Sequence, residues 1–186
     1  MRRRGLIWVL RGFLLIPAIF LLLVLHYTLP QTDIVRIVNT EVQRIDVGGN
    51  SIFWAGPDSG SANRPDRDVR FIETFRPDGE PMVYRNQDTS WGWPFYFKFD
   101  SSNLQAEARD AISTAAAPEW VAMRHYGWRS EWFSIFPNAT SLRPVDGPDA
   151  TLIPWFNIVF LTLLAALVWG VGVRIRRWII GRSETA

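Results

Sequence analysis

Residues 68–88 read DVRFIETFRPDGEPMVYRNQD and determine the fold of the central part of this chain. Apolar side chains alternate along residues 68–76, and a period of two residues predicts a β-strand. Pro77 presets the backbone of a turn and Gly79 tolerates a positive φ, so the chain reverses direction there. Residues 82–88 then return as a second strand. The whole segment is therefore predicted to be an antiparallel hairpin.

A strand upstream of the hairpin changes its apolar phase. It covers residues 33–46, DIVRIVNTEVQRID. The first apolar pair, Val35 and Ile37, lies on one face of the strand. The second pair, Val38 and Val42, lies on the other face. Because successive side chains point to opposite faces, this slip predicts a β-bulge or a strong bend.

The segment between this strand and the hairpin is polar. Residues 56–66, GPDSGSANRPD, are rich in Gly, Ser and Pro and predict a long surface loop. Residues 51–54, SIFW, are a candidate extension of the strand system whose place the pattern leaves open.

A helix and two further strands follow the hairpin. Ser102 is predicted to begin the helix with Gln105 as its capping-box partner, and Pro118 to end it. Residues 119–129 and 133–145 are the fourth and fifth strands. The order β-β-β-α-β-β predicts an α+β, mainly antiparallel domain, an OB-like five-stranded barrel with one helix. An irregular α+β sandwich is the alternative.

Two long apolar runs flank this domain. Residues 12–29 read GFLLIPAIFLLLVLHYTL, and residues 152–173 read LIPWFNIVFLTLLAALVWGVGV. Neither run contains Asp, Glu, Lys or Arg, and as helices they reach roughly 27 and 33 Å at about 1.5 Å per residue. The sequence therefore predicts a membrane protein with two transmembrane helices. The first run is longer than the apolar core of a signal peptide, which favours an uncleaved anchor.

Charge predicts how the chain crosses the membrane. The two ends carry eight arginines and one acid, whereas residues 31–150 carry 12 basic and 17 acidic residues, a net charge of −5. Arginine-rich ends stay cytoplasmic, so the acidic middle is predicted to be periplasmic. An acidic domain also argues against nucleic-acid binding. The predicted regions are a cytoplasmic N-terminus (1–11), a first span (12–29), the periplasmic domain (30–150), a second span (151–173) and a cytoplasmic C-terminus (174–186).

Residue types limit the chemistry. The chain contains no Cys and two His, which excludes disulfides, thiolate nucleophiles and Cys-ligated metals and leaves no His-rich metal site. Motifs of nucleotide binding, serine hydrolysis and zinc proteolysis are absent. We therefore expect no catalytic residue, no metal and no cofactor.

An aromatic run is the main candidate binding site. Within residues 90–99, SWGWPFYFKF, the candidate binding residues are Trp91, Trp93, Phe95 and Tyr96. One interpretation is a stacking platform for a sugar, a quinone-like ring or a lipid headgroup. The other is that alternate side chains fill the bottom of the barrel while the rest touch the outer leaflet of the membrane.

His125 is the remaining candidate binding residue. It lies on a predicted apolar strand, where a single His is usually structural. A hydrolase that uses Asp88, Asp100 and His125 requires these side chains to converge within hydrogen-bond reach.

Three separated segments resemble a known family. They are YTLPQTDIVRIVNTEVQR (27–44), FKFDSSNLQAEA (97–108) and RHYGWRSEWFSIFPNAT (124–140). In this order they are similar to the proteobacterial membrane proteins named domain of unknown function fifteen twenty-three. The resemblance implies an inner-membrane protein with a periplasmic domain and assigns no catalytic residue.

The sequence thus predicts a non-enzymatic inner-membrane protein whose partners are the lipid bilayer and a protein of a membrane complex, for which it is an accessory, scaffold or assembly factor. A module that binds an envelope glycan or lipid through the aromatic run is the first alternative. The Asp/His hydrolase is the second.

Overall fold

The computed structural model describes residues 2–46 and 66–183, and five strands in these ranges close into a barrel. The predicted strand extension at 51–54 lies outside the described residues, as does nearly all of the predicted loop at 56–66. The elements are α1 (Arg2–Thr28), β1 (Gln31–Asp46), β2 (Asp66–Phe75), β3 (Pro81–Asn86), α2 (Ser101–Asp110), β4 (Trp120–Tyr126), β5 (Asn138–Val145) and α3 (Trp155–Ser183).

The strands are arranged β1-β2-β3-β5-β4 around the barrel. Neighbouring strands are antiparallel except β3 and β5, which run parallel where Arg85 pairs with Asn138. The barrel closes because β1 pairs with β4 through its first half and with β2 through its second half. The predicted order of five strands with a helix between the third and fourth is confirmed. This mixed barrel is consistent with an OB-like fold rather than with the sandwich.

The predicted irregularity in β1 is confirmed. The register against β2 shifts between Ile37 and Asn39. Val35 and Ile37 are fully buried in the barrel, whereas Val42 is half exposed. The bend therefore lies where β1 leaves β4 and joins β2, and it lets one long strand serve both neighbours.

The β2–β3 hairpin also forms as predicted. Gly79 has a φ of +86° and donates its N–H to the Arg76 carbonyl at 3.0 Å. Strand β3 ends at Asn86, two residues earlier than the pattern predicted. Thr74 and Tyr84, one from each strand, are buried.

The bounds of α2 correct the sequence prediction. Asp100, not Ser102, caps the helix and accepts a hydrogen bond from Asn103 N–H at 2.9 Å. The helix ends at Asp110, well before the proline that was expected to end it. Ser113 donates its N–H to the Ile37 carbonyl at 3.0 Å, so the chain beyond the helix is drawn onto β1 instead of continuing the helix.

The core lies inside the barrel, and α2 packs against it. Leu104 and Ala108 of α2 join the apolar interior. The interior side chains from the strands are Val35, Ile37, Ile72, Met82, Tyr84, Val121, Met123 and Ala139. A smaller cluster pairs Val69 and Phe71 with Phe136.

The terminal helices differ in their described apolar length. The chain divides into two compact units, residues 1–151 and 152–186, and α3 lies in the second. In the described part of the chain, one helix segment, Trp155–Trp178, is long and apolar enough to cross a membrane. The segment Leu15–Thr28 of α1 is apolar but shorter. Helix α1 includes the first predicted span up to Thr28, and α3 includes the second from Trp155 onward, so residues 151–154 lie before the helix that was predicted to include them.

Candidate functional site

The segment from Thr89 to Phe99, called here the aromatic loop, turns its aromatic side chains outward. Most of its large rings are exposed, Trp91 by 76%, and they contact each other edge to face. Between them, Pro94 and Lys98 are buried and Tyr96 is half buried. The exposed rings are Trp91, Trp93, Phe95, Phe97 and Phe99. Of the four predicted binding residues in this loop, three therefore face outward, and Tyr96 does not.

Hydrogen bonds close the base of the aromatic loop. The Lys98 carbonyl accepts from Thr89 N–H and Ser90 N–H, each at 3.0 Å. Lys98 N–H in turn donates to Thr89 Oγ1 at 3.1 Å. Phe97 holds a left-handed φ of +51°, a conformation that side-chain-bearing residues seldom adopt. The loop is therefore a closed unit whose conformation is fixed at both ends.

Lys98 anchors the loop inside the barrel. The residue is 8% exposed, and its Nζ donates to Asn86 Oδ1 and, at 2.8 Å, to the Ala139 carbonyl. Asn86 donates to the Ser101 carbonyl and to Gln105 Oε1, both at 2.8 Å. A buried polar network thus joins the loop, β3, β5 and α2. Sequence reasoning missed it because its members are spread over the chain and look ordinary one by one.

Burial lowers the pKa of Lys98 to about 7. Among its charged neighbours, Asp88 and Asp100 act to raise the pKa, while Arg70 and Arg85 act to lower it. The desolvation of the ammonium group is the largest effect, as expected for a lysine taken out of water.

Tyr96 anchors the loop to the end of α1. Its hydroxyl donates to the Thr28 carbonyl, and its ring stacks on Tyr126 at 4.5 Å between centroids with the planes 12° apart. Burial raises the pKa of Tyr96, so the phenol stays protonated and able to donate. The last carbonyl groups of a helix have no partner within the helix. The Tyr96 hydroxyl is that partner for the Thr28 carbonyl.

Other barrel groups bind the preceding carbonyls of the same turn. Gly127 N–H donates to the Tyr27 carbonyl at 2.9 Å, and Gln31 donates to the His26 carbonyl at 3.1 Å. Trp128 Nε1–H donates to His26 Nδ1 at 2.8 Å, and the Tyr27 ring packs edge-on against Trp128. The last turn of α1 is therefore attached to the barrel through several bonds.

A second loop, residues 127–137, carries two more exposed rings. Trp132 is 95% exposed and Phe133 is also exposed. Ser130 and Ile135 exchange backbone hydrogen bonds of 2.9 and 3.0 Å that close the loop below these rings. We call it the Trp132 loop. It begins at Gly127, beside the last turn of α1.

His125 lies elsewhere, in a partly buried polar cluster on the barrel wall. Its Nε2 lies 3.2 Å from Asp33 Oδ2, without the alignment of a hydrogen bond. The Tyr84 hydroxyl donates to the same oxygen at 2.6 Å, and Arg76 Nη2 lies 3.5 Å away. Burial acts to raise the pKa of Asp33, but His125, Tyr84 and Arg76 outweigh it and lower this pKa to about 2. Asp33 is thus held as a carboxylate.

The structure gives His125 a different partner from those in the hydrolase alternative. Asp88 accepts from Ser101 N–H at 2.7 Å, and Asp100 caps α2. Asp33, which sequence reasoning did not single out, occupies the place beside His125. In the sequence, the one indication of this contact is that Asp33 lies near the start of β1, the part of the strand that pairs with β4. Over the described ranges, no group of three or more His, Asp or Glu side chains is arranged to hold a metal ion.

Comparisons with known proteins identify relatives of unknown function. A family model described as "Protein of unknown function (DUF1523)" matches residues 6–179. A curated protein of Haemophilus influenzae, named "Uncharacterized protein", is 41% identical over 145 residues, which cover 76% of this chain and 79% of that relative. No solved structure matches the chain.

Proposed function

The chain belongs to the DUF1523 family, and we propose that it is a non-catalytic, membrane-anchored binding protein of the bacterial inner membrane. In this proposal α1 and α3 both span the membrane, the OB-like barrel is periplasmic, and both termini are cytoplasmic. The arginines at both ends and the acidic middle support this orientation. The barrel binds a protein of a membrane complex, for which the chain is an accessory, scaffold or assembly factor.

Exposed apolar side chains support the membrane role of α1. From Leu15 onward, large side chains such as Ile16, Phe20 and Leu22 are exposed along the helix. Consecutive residues 19–23 are exposed as well, so the apolar surface is not limited to one stripe. A water-facing helix keeps a polar face, whereas a helix in lipid is apolar all round.

The observation that carries the scaffold proposal is the attachment of α1 to the barrel. Two residues, Leu29 and Pro30, separate the end of α1 from the start of β1. The carbonyls of His26, Tyr27 and Thr28 are all bonded to barrel or loop groups. A domain on a flexible tether would sample many orientations, whereas this one keeps a fixed orientation to its helix. A fixed orientation suits a protein that positions a partner at the membrane.

The buried polar side chains support a binding role over a catalytic one. Lys98 Nζ donates to two barrel acceptors, and the Asp33 carboxylate already contacts Tyr84, Arg76 and His125. A general base or nucleophile must reach a substrate atom directly or through one water. Because Lys98 and Asp33 already contact other groups of the barrel, we assign them to the stability of the fold and not to catalysis.

The topology is tested with single cysteines, for which the cysteine-free chain is a clean background. An impermeant maleimide added to spheroplasts should label the Ala116→Cys variant, because Ala116 is exposed on the barrel. The Ser183→Cys variant should be labelled only after lysis. Labelling of Ser183→Cys in intact spheroplasts would contradict the proposed orientation.

The partner is tested separately in native membranes. Photo-cross-linking from exposed barrel positions, followed by gentle extraction, sizing and mass spectrometry, should give a discrete protein adduct. A chain that runs alone under every extraction condition would count against the scaffold role.

The exposed rings of the aromatic loop favour a second candidate function, the binding of an envelope glycan or lipid. Trp91 and Trp93 are exposed and next to other rings, as stacking platforms require. Replacing both with Ala should abolish binding to an envelope extract without lowering the melting temperature. Unfolding of the double variant would instead assign these rings to the fold.

A further inference from the structure

We infer that the aromatic loop and the Trp132 loop together form a lipid-contacting collar, which lies in the headgroup region of the membrane around the point where α1 leaves the bilayer. This inference rests on one part of the proposed function, that α1 spans the membrane. It goes further by assigning the exposed rings to a lipid surface.

Position is the first argument. Tyr96 of the aromatic loop bonds to the Thr28 carbonyl, and Gly127 at the start of the Trp132 loop bonds to the Tyr27 carbonyl. Both loops therefore begin at, or are fastened to, the last turn of an apolar helix. If α1 crosses the bilayer, this turn lies at the membrane–water boundary. The two loops then lie at the depth where aromatic belts occur.

Composition is the second argument. Lys98 is the single charged residue between Thr89 and Phe99, and its side chain is buried. The outward face of the aromatic loop is therefore made of Trp and Phe rings with no exposed charge. Large exposed apolar patches mark contacts with proteins or membranes. Tryptophan prefers the membrane interface, because one end of its ring system is apolar and its N–H can remain in contact with water.

The fixed shape of the loop is the third argument. The Lys98 and Tyr96 side chains point inward, and their bonds to Ala139 and Thr28 prevent the loop from turning its rings into the barrel. Phe97 stays in a left-handed conformation that leaves its ring outside. Because the backbone of the loop is already fixed, its ordering offsets less of the free energy that the rings gain when they enter an interface.

Lipid fits this surface better than a protein partner does. The two loops are bonded to the last turn of α1, and the side chains of residues 19–23 on that helix are exposed and apolar. A bilayer that surrounds α1 therefore also reaches the loops that carry Trp93 and Trp132. A protein bound to the loops would have to share the end of α1 with the lipid.

The experiment uses the full-length protein in proteoliposomes of phosphatidylethanolamine and phosphatidylglycerol. An environment-sensitive fluorophore is attached to single-cysteine variants Trp93→Cys and Trp132→Cys. Ala116→Cys is the matched control, because Ala116 is exposed and lies beyond the opposite end of β4 from Tyr126. Leu22→Cys reports whether α1 itself is in the bilayer. Lipids with a nitroxide near the glycerol backbone or deep in the acyl chain are the quenchers.

The collar predicts that the shallow quencher reduces the emission at positions 93 and 132 several-fold more than at position 116. Position 22 should be quenched most by the deep quencher. Weak quenching at 93 and 132 with strong deep quenching at 22 would overturn the collar and leave the membrane anchor intact. Quenching at 93 and 132 without quenching at 22 would overturn the anchor, and with it a collar around α1, because the loops would then touch lipid without a spanning helix beside them. No quenching at any of the four positions would overturn both.

Native membranes separate lipid from protein as the occupant. Benzophenone maleimide on the Trp93→Cys variant should give lipid adducts on irradiation, and the Ala116→Cys variant should not. A discrete protein adduct at position 93 in place of lipid would overturn the collar in favour of a protein-docking surface. Melting temperatures equal to that of the cysteine-free parent establish that the labelled variants are folded.

Discussion

Raising the pH from about 7.5 to about 9 is predicted to stabilise the barrel through Lys98. Burial lowers the pKa of this side chain to about 7 from the ordinary value of 10.5. Across the interval the unfolded chain therefore keeps a proton that the folded barrel has released. Stability rises with pH wherever the unfolded state binds more protons, so the expected change is a gain.

The size of the gain follows from the proton count. A difference of one bound proton between the unfolded and folded states changes the free energy of unfolding by about 1.4 kcal/mol per pH unit. Because some folded molecules still carry the Lys98 proton at about pH 7.5, the whole interval raises this free energy by about 2 kcal/mol. In a domain of this size that corresponds to about 5–10 °C in melting temperature. The buried phenols Tyr84, Tyr96 and Tyr126 have raised pKa values, so they remain protonated throughout.

The assay is thermal unfolding of the full-length protein in detergent, followed by near-ultraviolet circular dichroism. Lys98→Met removes the titrating amine and should abolish the pH dependence, although it also loses the bonds to Asn86 and Ala139. Arg109→Met, on the exposed side of α2, removes a charge of the same sign and should keep the full dependence. A wild-type melting temperature that stays constant or falls, or a Lys98→Met variant that keeps the rise, would refute the reasoning.

Three further predictions concern stability in the same assay. Tyr96→Phe leaves the Thr28 carbonyl without its donor and should cost about 1–2 kcal/mol; an unchanged melting temperature would contradict the anchor. Gly127→Ala should cost about 1–2 kcal/mol, because alanine is strained at a φ of +93°; an added Cβ would meet its nearest atoms at an ordinary 3.6 Å, so no steric clash contributes. Phe97→Gly is the reverse change, and it should relieve a similar backbone strain and not lower the melting temperature. The low pKa of Asp33 contributes about 2 kcal/mol that is present above about pH 4 and lost as the pH falls through about 2, so Asp33→Asn should flatten the acid limb of the stability curve; a steep limb in that variant would rule out this source.

Local patterns predicted much of the barrel. The alternation in β2 and the turn at Gly79 depend on neighbours in sequence, and both appear where expected. The slip after Ile37 was visible as a change of face and marks the point where β1 changes partner. The end of α2 was predicted wrongly, because the bond from Ser113 to Ile37 is a tertiary contact that helix periodicity does not contain.

The polar clusters were outside the reach of sequence reasoning. Lys98 meets the Ala139 carbonyl 41 residues away, and Tyr84 meets Asp33 51 residues away. Single polar residues of this kind occur throughout any surface, so only the closure of the barrel singles these out. The unusual composition of the aromatic run marks it as a candidate binding site in the sequence. The direction of its rings depends on the contacts of Tyr96 with Thr28 and of Lys98 with Asn86, which no sequence pattern reveals.

The direction of the rings is a built feature of the barrel. An ordinary surface loop buries its aromatic side chains and exposes its lysine, because each is then in its preferred solvent. Here the alternation is inverted: Tyr96 and Lys98 face inward, and Phe95 and Phe97 face outward. A slip by one residue would restore the ordinary arrangement, but it would break the bond to the Thr28 carbonyl and the network around Lys98. The inversion also requires the desolvation of an amine, which is unfavourable, so the fold keeps the rings exposed at a cost in stability. The exposure of the rings to water is a second unfavourable contribution. An apolar environment outside the barrel, such as the membrane interface next to α1, removes this contribution by covering the rings.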